Sequence, residues 1–282
     1  MIGKERTSDG SVAVMNTELA DVLSPTQVRC FMECQTRWWF KYGLKYTDPP
    51  TGNLALGRAV HSSLGHNFAQ KVETYEDLPT AGVLALFREA WAMEREQTEF
   101  RDDENPKELA ATGEALIAKY MDEVAPAIEP AAVELRVEGE IGGVKVHGWI
   151  DLLDVEGRIV DVKTARAKPT SIEPMQRFQV ATYCRLMPGA SGKGRIDTLV
   201  KTKTPQVVSQ SFEVKADDLR AIKTLYPLTQ EAIRAQLYMP NRLAMTCSRR
   251  NCSYWRQCEC EWGGERWVER MRAVYESVGV TL

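Results

Sequence analysis

The hydrophobic pattern of this chain changes its period close to Pro126 and Pro130, and this change restricts the fold more than any other feature. Before the prolines, apolar residues recur every three to four positions, as in "LALGRAVHSSLGHNFAQKV" (54–72), which is typical of amphipathic helices. After them, "AAVELRVEGEI", "VKVHGWIDLLD" and "RIVDVKTA" alternate every second position, as strands do. Helices followed by strands and a crossing helix predict an α/β fold with a mixed central sheet.

Capping and turn signals give the approximate boundaries of these elements. Ser24 is a candidate N-cap, Pro25 suits the first helical position, and Gly43 suits a helix stop, which together predict one helix over 25–43. We expect residues 1–20 to form a flexible arm and residues 21–282 a single domain with a helical insertion at about 54–124. The remaining predicted elements are helices at 79–99, 107–124, 172–187 and 216–237, and strands "IDTLVKTK" and "VVSQSFEV".

Composition and charge narrow the class of protein. The chain has 282 residues, of which 44% are hydrophobic and 27% charged, so it can bury a core and is not intrinsically disordered. We find no membrane-length apolar run and no secretory signal pattern, and therefore expect a cytoplasmic protein without a membrane partner. The net charge of −3 hides a gradient, because residues 73–140 carry a net −12 and residues 158–203 a net +7. The second segment is the one that would meet a polyanion such as DNA.

The hairpin "GWIDLLDVEGRIVDVKT" admits two registers with opposite consequences. A two-residue loop of Glu156 and Gly157 sets Asp151 opposite Val162, so that Asp151 points away from the face that bears Asp161. A three-residue loop that ends at Gly157, with the glycine in the left-handed conformation, sets Asp151 opposite Asp161.

In the second register two carboxylates would share one face of the hairpin with Lys163. Directly opposed residues have β-carbons about 5 Å apart, so Asp151 and Asp161 would repel each other unless a divalent cation lay between them. Lys163 projects from the same face and could orient a water held by that cation, and Glu134 on the preceding strand is a third acid. The ordinary alternative is an exposed hairpin face whose charges simply meet solvent, and the spacing alone does not exclude it.

Several short motifs in a fixed order carry a resemblance to a known family. They are "GRAVH" with His61, a glutamate at Glu134, "GWID", "VDVKT", and "QVATY" with Gln179 and Tyr183, and cysteines flank them on both sides. This ordered set spans roughly residues 24–262. It resembles the RecB-like branch of the PD-(D/E)XK nuclease superfamily, and especially its iron-sulfur members, which include the AddB nuclease domain and CRISPR adaptation exonucleases.

The resemblance implies a restriction-endonuclease-like core and a metal-dependent DNA exonuclease that acts on single strands or duplex ends. It implies Mg²⁺ or Mn²⁺ as cofactor, a biological setting in CRISPR adaptation, recombination or phage DNA processing, and a helicase or integrase as partner. A non-catalytic DNA-binding or scaffold subunit with the same fold is the alternative of another class. The implied metal ligands are His61, Glu134, Asp151 and Asp161; Lys163 would assist the attacking water, and Gln179 and Tyr183 would support the site.

Seven cysteines without a secretory signal favour metal ligation over disulfides. "CSRRNCSYWRQCEC", within a cysteine-rich segment at 244–264, supplies four of them, and two more lie one helical turn apart near the start. By resemblance a [4Fe-4S] cluster would join the two ends of the domain, and structural zinc is the main competitor. The chosen ligands are Cys34, Cys247, Cys252 and Cys258, with Cys30 and Cys260 in reserve and Cys184 expected as a small buried hydrophobe.

Basic residues beyond the hairpin suggest a path for nucleic acid. Arg166 and Lys168 follow the predicted catalytic strand, and Lys201 and Lys203 lie in "LVKTKTP". All four are candidate phosphate contacts. A lysine-bearing edge strand is the ordinary explanation of the last segment, whereas His66 and His147 are expected to be structural.

Overall fold

The computed structural model describes residues 21–262 together with Arg272 and Glu276, although the side chains of residues 260–262 are not included. The arm predicted for residues 1–20, the side chain of Cys260 and the end of the segment predicted at 244–264 lie outside the described residues. Among the described helices, none combines the length and the hydropathy needed to cross a lipid bilayer.

A mixed sheet forms the centre of the domain, as predicted. The long hairpin of β2 and β3 is antiparallel, β4 pairs antiparallel with the end of β3, and β5 lies parallel to β4 and antiparallel to β6. The short first strand runs parallel to the start of β3. The strands of the described region are β1 (Val22–Leu23), β2 (Pro130–Ile141), β3 (Val144–Asp154), β4 (Ile159–Ala165), β5 (Lys193–Val200) and β6 (Gln206–Glu213).

Helices cover both faces of the sheet. On one face α3, α4 and α5 pack over the centres of β3, β4 and β5, and on the other face α1, α6 and α7 pack against the β2–β3 hairpin and β5. A π-helical turn (Trp39–Gly43) follows α2, and a 3-10 turn (Ala125–Ala127) follows α5. The helices are α1 (Pro25–Glu33), α2 (Gln35–Trp38), α3 (Gly52–Thr74), α4 (Thr80–Glu96), α5 (Pro106–Glu123), α6 (Pro174–Leu186), α7 (Ala216–Arg234) and α8 (Trp255–Trp262).

The single helix predicted over 25–43 is wrong, because the chain leaves the helical conformation at Cys34 (φ −165°, ψ 115°). Contacts with a distant segment take the place of the helical continuation. The Cys34 sulfur accepts the backbone N–H of Asn241 at 3.4 Å, and Thr36 donates its hydroxyl to the Tyr238 carbonyl at 2.6 Å. No glycine or proline marks this break, so the sequence pattern did not reveal it. The prediction also lacked β1 and α8, which are too short to show a period.

The periodic stripe in α3 is buried as its spacing predicts. Leu56, Val60, Leu64 and Phe68 are at most 2% exposed and pack against α4 and α5. His61 lies beside this stripe and is therefore turned towards the sheet rather than into the helical core. The sheet and α3 together position the site described next.

Candidate active site

The β3–β4 hairpin has the three-residue loop that brings the two aspartates opposite each other. Leu152 pairs with Val160 and Leu153 with Ile159, and Gly157 adopts a left-handed φ of +72°. The same register, carried one residue further, sets Asp151 across from Asp161. The two-residue alternative is excluded, and so is a hairpin face that simply meets solvent, because Asp161 is only 3% exposed.

Asp161 has one satisfied and one unsatisfied carboxylate oxygen. Lys163 donates to its Oδ1 at 2.7 Å, and Gln179 of α6 donates to the same atom at 3.1 Å. Gln179 is itself within 3.3 Å of the Tyr183 hydroxyl one helical turn later. The second oxygen, Oδ2, is buried and has no hydrogen-bond partner among the residues that the structure describes. A buried carboxylate oxygen without a partner is costly unless a cation or a donor completes it.

Asp151 is held by groups from two other elements. Its Oδ2 accepts the backbone N–H of Val162 at 3.2 Å and lies 3.1 Å from His61 Nε2, while His61 Nδ1 lies 3.2 Å from Glu134. Val133 pairs with Leu152 and Leu135 pairs with Ile150, so Glu134 faces Asp151 across the β2–β3 pair. The backbone φ of Glu134 is +48°. A left-handed non-glycine residue is strained, and such strain is found most often at functional sites.

The electrostatics of the four central groups are coupled. Burial raises the pKa of Asp161 to about 6 although Lys163 acts in the opposite direction. The charge of Asp151, and the hydrogen bond that a protonated Asp161 makes to it, add to the rise. Burial also acts on Asp151, but the hydrogen bond from His61 and the charge of Lys163 outweigh it and lower the pKa of Asp151. The hydrogen bond to Asp151 raises the pKa of His61. Despite burial, the two aspartates raise the pKa of Lys163, which therefore stays protonated.

These residues fit a divalent cation, although their present contacts are with one another. Among the residues that the structure describes, no three His, Cys, Asp and Glu side chains form a ready-made metal-binding group. The contacts give the reason, because His61 lies between Asp151 and Glu134, and Lys163 binds Asp161. The unpartnered Asp161 Oδ2, beside a second carboxylate, is the kind of hard oxygen ligand that Mg²⁺ and Mn²⁺ prefer.

Two clefts meet at the strand that carries Lys163. The first, of about 780 Å³, lies between α3 and the sheet and reaches His61, Glu134 and Lys163. The second, of about 600 Å³, lies between α1, the end of β4 and α6, and reaches Lys163 and Gln179. Lys163 and Thr164 line both clefts, so the lysine that binds Asp161 can be approached from either side of β4.

The first cleft has lining residues that the sequence analysis did not identify. Asn53, Arg58 and Ser62 contribute to it, and so does His66, which had been expected to be structural. The helical spacing around His61 was a usable signal, because positions three and four residues away on a helix share a face. Gly57 lies on this face, and a β-carbon there would stand 3.2 Å from the Thr164 hydroxyl, so the missing side chain lets α3 approach β4 closely.

Two of the four predicted phosphate-binding residues line the two clefts. Lys201 lines the first and donates to Asn53 at 2.9 Å, and burial together with the nearby Arg166 lowers the pKa of Lys201 to about 8. Lys168 lines the second cleft, and Arg166 a smaller cavity beside Lys201, whereas the exposed Lys203 lines neither cleft. The strand that ends before Lys201 is internal, so the edge-strand explanation is wrong.

The four chosen cysteines line one cavity of about 20 Å³, and within the described part of the chain no three of them form a ready-made metal-binding group. Cys34, at the break between α1 and α2, faces Cys247, Cys252 and Cys258 there, with Phe40 and Trp255 among the other lining residues. Burial raises the pKa of Cys252, and raises that of Cys258 to about 11.

The two other described cysteines lie elsewhere. Cys30 is buried in the core beside Phe31 and Trp38, and Cys184, within α6, is partly buried against the hydrophobic cluster between α6 and the sheet. The side chain of Cys260 lies outside the described part of the chain.

Comparison with known proteins agrees with this architecture. The profile of the PD-(D/E)XK nuclease superfamily matches residues 22–259, which include the hairpin, α3, α6 and the chosen cysteines. The chain belongs to the PD-(D/E)XK nuclease superfamily. Its mixed sheet flanked by helices is consistent with the restriction-endonuclease-like core, and nucleases of this superfamily typically use Mg²⁺ or Mn²⁺.

Solved structures support the same fold for this PD-(D/E)XK protein. A crystal structure described as "Putative exonuclease" from Eubacterium rectale is 17% identical, covers 88% of this chain and 94% of its own, and has a TM-score of 0.55. A second crystal structure, that of SSO0001, is 12% identical, covers 83% of this chain and 84% of its own, and has a TM-score of only 0.37. Comparison with curated proteins finds no significant match.

The unpartnered oxygen predicts opposite effects for two equally buried aspartates of the hairpin. Asp154 and Asp161 are each 3% exposed, but Asp154 accepts from two backbone N–H groups and from Arg158. Without divalent metal at pH 7.5, we expect Asp161→Asn to stabilise the fold by about 1–3 kcal/mol and Asp154→Asn to destabilise it. Thermal unfolding in EDTA measures both.

The pH dependence of folding stability follows from the direction in which the pKa of Asp161 is shifted. A folded pKa of about 6 lies above the ordinary value of 3.8, so charged Asp161 destabilises the fold fully above pH 6 and not at all below about pH 4. The advantage of Asp161→Asn should therefore shrink as the pH falls from 7 to 4. Saturating Mn²⁺ should raise the melting temperature of the wild type and not that of Asp161→Asn. A metal-free Asp161→Asn variant less stable than the wild type at pH 7.5 would contradict this account.

Proposed function

We propose that this protein is a Mg²⁺- or Mn²⁺-dependent deoxyribonuclease that hydrolyses single-stranded DNA or DNA ends as an exonuclease. The observation that carries the proposal is the buried, unpartnered Oδ2 of Asp161, which lies opposite Asp151 and beside Lys163. A buried carboxylate oxygen without a partner among the described residues, beside the lysine that lines both clefts, is hard to explain by stability alone. A site that binds a cation together with its substrate requires a carboxylate oxygen of this kind.

The metal ligands would be Asp151, Asp161, Glu134 and His61. A divalent cation in such a site offsets the charge that develops on the phosphate and makes water a better nucleophile. The chain contributes the geometry: Gln179 donates to Asp161 and fixes the plane of its carboxylate, and Tyr183 supports Gln179. Lys163 is protonated and partly exposed, so its ammonium can orient a water and offset charge on a phosphate oxygen at the same point.

The two clefts favour an extended strand as substrate. A single strand that enters by one cleft and leaves by the other would pass Lys163 and Thr164, which line both. Along this path Arg58 and Lys201 line the first cleft, and Arg29 and Lys168 the second, so each side offers cations to the phosphates. The Eubacterium rectale protein is named as an exonuclease, which agrees with this proposal.

We further propose that Cys34, Cys247, Cys252 and Cys258 bind a [4Fe-4S] cluster that clasps the two ends of the domain, as in the iron-sulfur branch of the superfamily. Support comes from the cavity that all four thiols line and from the backbone N–H of Asn241, which donates to the Cys34 sulfur. By the same resemblance, we propose CRISPR adaptation, recombination or phage DNA processing as the biological setting, with a helicase or integrase as partner.

Digestion of labelled oligonucleotides tests the nuclease proposal. The wild type should cleave 5′- or 3′-labelled single-stranded DNA with Mn²⁺ and not with EDTA, and the two labels will give the polarity. We expect Lys163→Ala to lower kcat by about 10²–10⁴-fold, because the group that orients the water is lost. Lys223→Ala, at an exposed lysine of α7 that lines neither cleft, is the control and should retain activity within about threefold. No cleavage by wild type and Lys163→Ala alike, with DNA binding retained, would favour the non-catalytic scaffold.

Metal analysis of anaerobically purified protein tests the cluster. The wild type should contain about four iron atoms with visible absorbance, and Cys252→Ser should lose both. Closing a loop from Cys34 to Cys247 is worth about 5 kcal/mol by chain-entropy estimates, so Cys252→Ser should also melt much earlier. Cys184→Ser is the matched control, since Cys184 lies within α6 and does not line the cavity. Zinc in place of iron, or full stability and colour in Cys252→Ser, would overturn the assignment.

A further inference from the structure

An exposed tryptophan stands next to the carboxylate pair. Trp149 is 52% exposed, although it lies near the middle of the long strand β3, two residues before Asp151. Large aromatic side chains usually bury most of their surface, so a half-exposed indole on a strand calls for a functional reason.

Contacts of the neighbouring residues place Trp149 on the side of the sheet from which His61 of α3 reaches Asp151. The neighbours of Trp149 face the opposite side: Ile150 packs with the α6 cluster, and a β-carbon on Gly148 would meet Tyr183 of α6 at 2.4 Å. Trp149 therefore points away from α6, and Asp151 points the same way to meet His61 of α3. Two residues along a strand span about 7 Å, which is on the scale of one nucleotide step in an extended strand.

A basic residue stands directly across the hairpin from the indole. Arg136 of β2 pairs in register with Trp149, and its only described ion pair is with Glu138 at 2.9 Å. Both side chains of that pair are at least 60% exposed, so the interaction is weak and can be exchanged for a phosphate. An aromatic ring for a base and a guanidinium for a phosphate form the combination that binds single strands without regard to sequence.

We propose that Trp149 is a base-stacking platform that holds the nucleotide next to the scissile phosphate, with Arg136 contacting the adjoining phosphate. The proposal rests on the proposed nuclease function and narrows its substrate to unpaired DNA at the site. A base inside a duplex cannot offer its face to the indole, because the base pairs on either side of it cover both faces. Duplex DNA must therefore present a frayed or unwound end before it is bound.

Binding measured without turnover tests this proposal. In a Lys163→Ala background with Mn²⁺, fluorescence anisotropy of a labelled oligothymidylate should show affinity falling about 5- to 150-fold on Trp149→Ala, the range found for stacking of one base. Trp149→Phe keeps an aromatic face and should stay within about threefold. Tyr75→Ala is the control, since Tyr75 is 86% exposed at the end of α3, about 21 Å along the helix from His61. Blunt duplex of the same length should bind equally to both Trp149 variants.

A single abasic site moved along the oligonucleotide locates the platform. With Trp149 present, an abasic site at one position should lower the affinity by the same factor as Trp149→Ala does. In the Trp149→Ala variant, an abasic site should lower the affinity at no position. The proposal would be overturned if Trp149→Ala bound single-stranded DNA as tightly as the protein with Trp149. It would also be overturned if an abasic site still lowered the affinity of Trp149→Ala. Because binding needs no cleavage, a wild type that binds in this pattern but never cuts DNA would refute the nuclease function alone.

Discussion

The repulsion between two carboxylates that one tight hairpin brings face to face governs the rest of this site. Gly157 in a left-handed conformation sets the register, and the register sets Asp151 opposite Asp161. The surrounding elements then offset the charge only in part. Lys163 and Gln179 satisfy one oxygen of Asp161 and leave the other buried without a partner, and burial raises the pKa of Asp161 to about 6. The fold thereby carries a local instability that a cation can relieve.

The position of α3 completes the site, and it is accompanied by backbone strain at Glu134 in β2. The absence of a side chain at Gly57 lets the helix approach β4, and His61 then reaches both Asp151 and Glu134. Glu134 meets the histidine only because its backbone is left-handed, which also inverts the side-chain alternation of β2. Val133 packs on the α3 side of the sheet, whereas Leu135 packs on the α6 side. Strain in β2 and unpaired charge in β4 are thus concentrated around one point, as is typical of functional sites.

Much of the fold and of the site's composition was predictable, and the limits have physical causes. The change of period predicted the α/β order, because it depends on local backbone preferences. The glycine of the hairpin left two registers open, and the structure shows the three-residue loop. The helix break at Cys34 was not predictable, since contacts with Tyr238 and Asn241, some 200 residues away, produce it. Exposure at Trp149 was equally hidden, because an aromatic residue in a strand usually indicates core. The unpartnered oxygen of Asp161 depends on where α6 places Gln179, which no spacing encodes.

Anomalous diffraction from crystals grown with Mn²⁺ tests most directly whether the hairpin is built around a cation. Data collected at an energy where manganese scatters anomalously should show a peak within bonding distance, about 2.0–2.4 Å, of carboxylate oxygens from both Asp151 and Asp161. The Asp161 ligand should be Oδ2. The peak should be absent from crystals of the Asp161→Asn variant grown in the same way. A fully occupied manganese elsewhere in the wild type, with Asp161 Oδ2 still buried and without a ligand, would contradict the account.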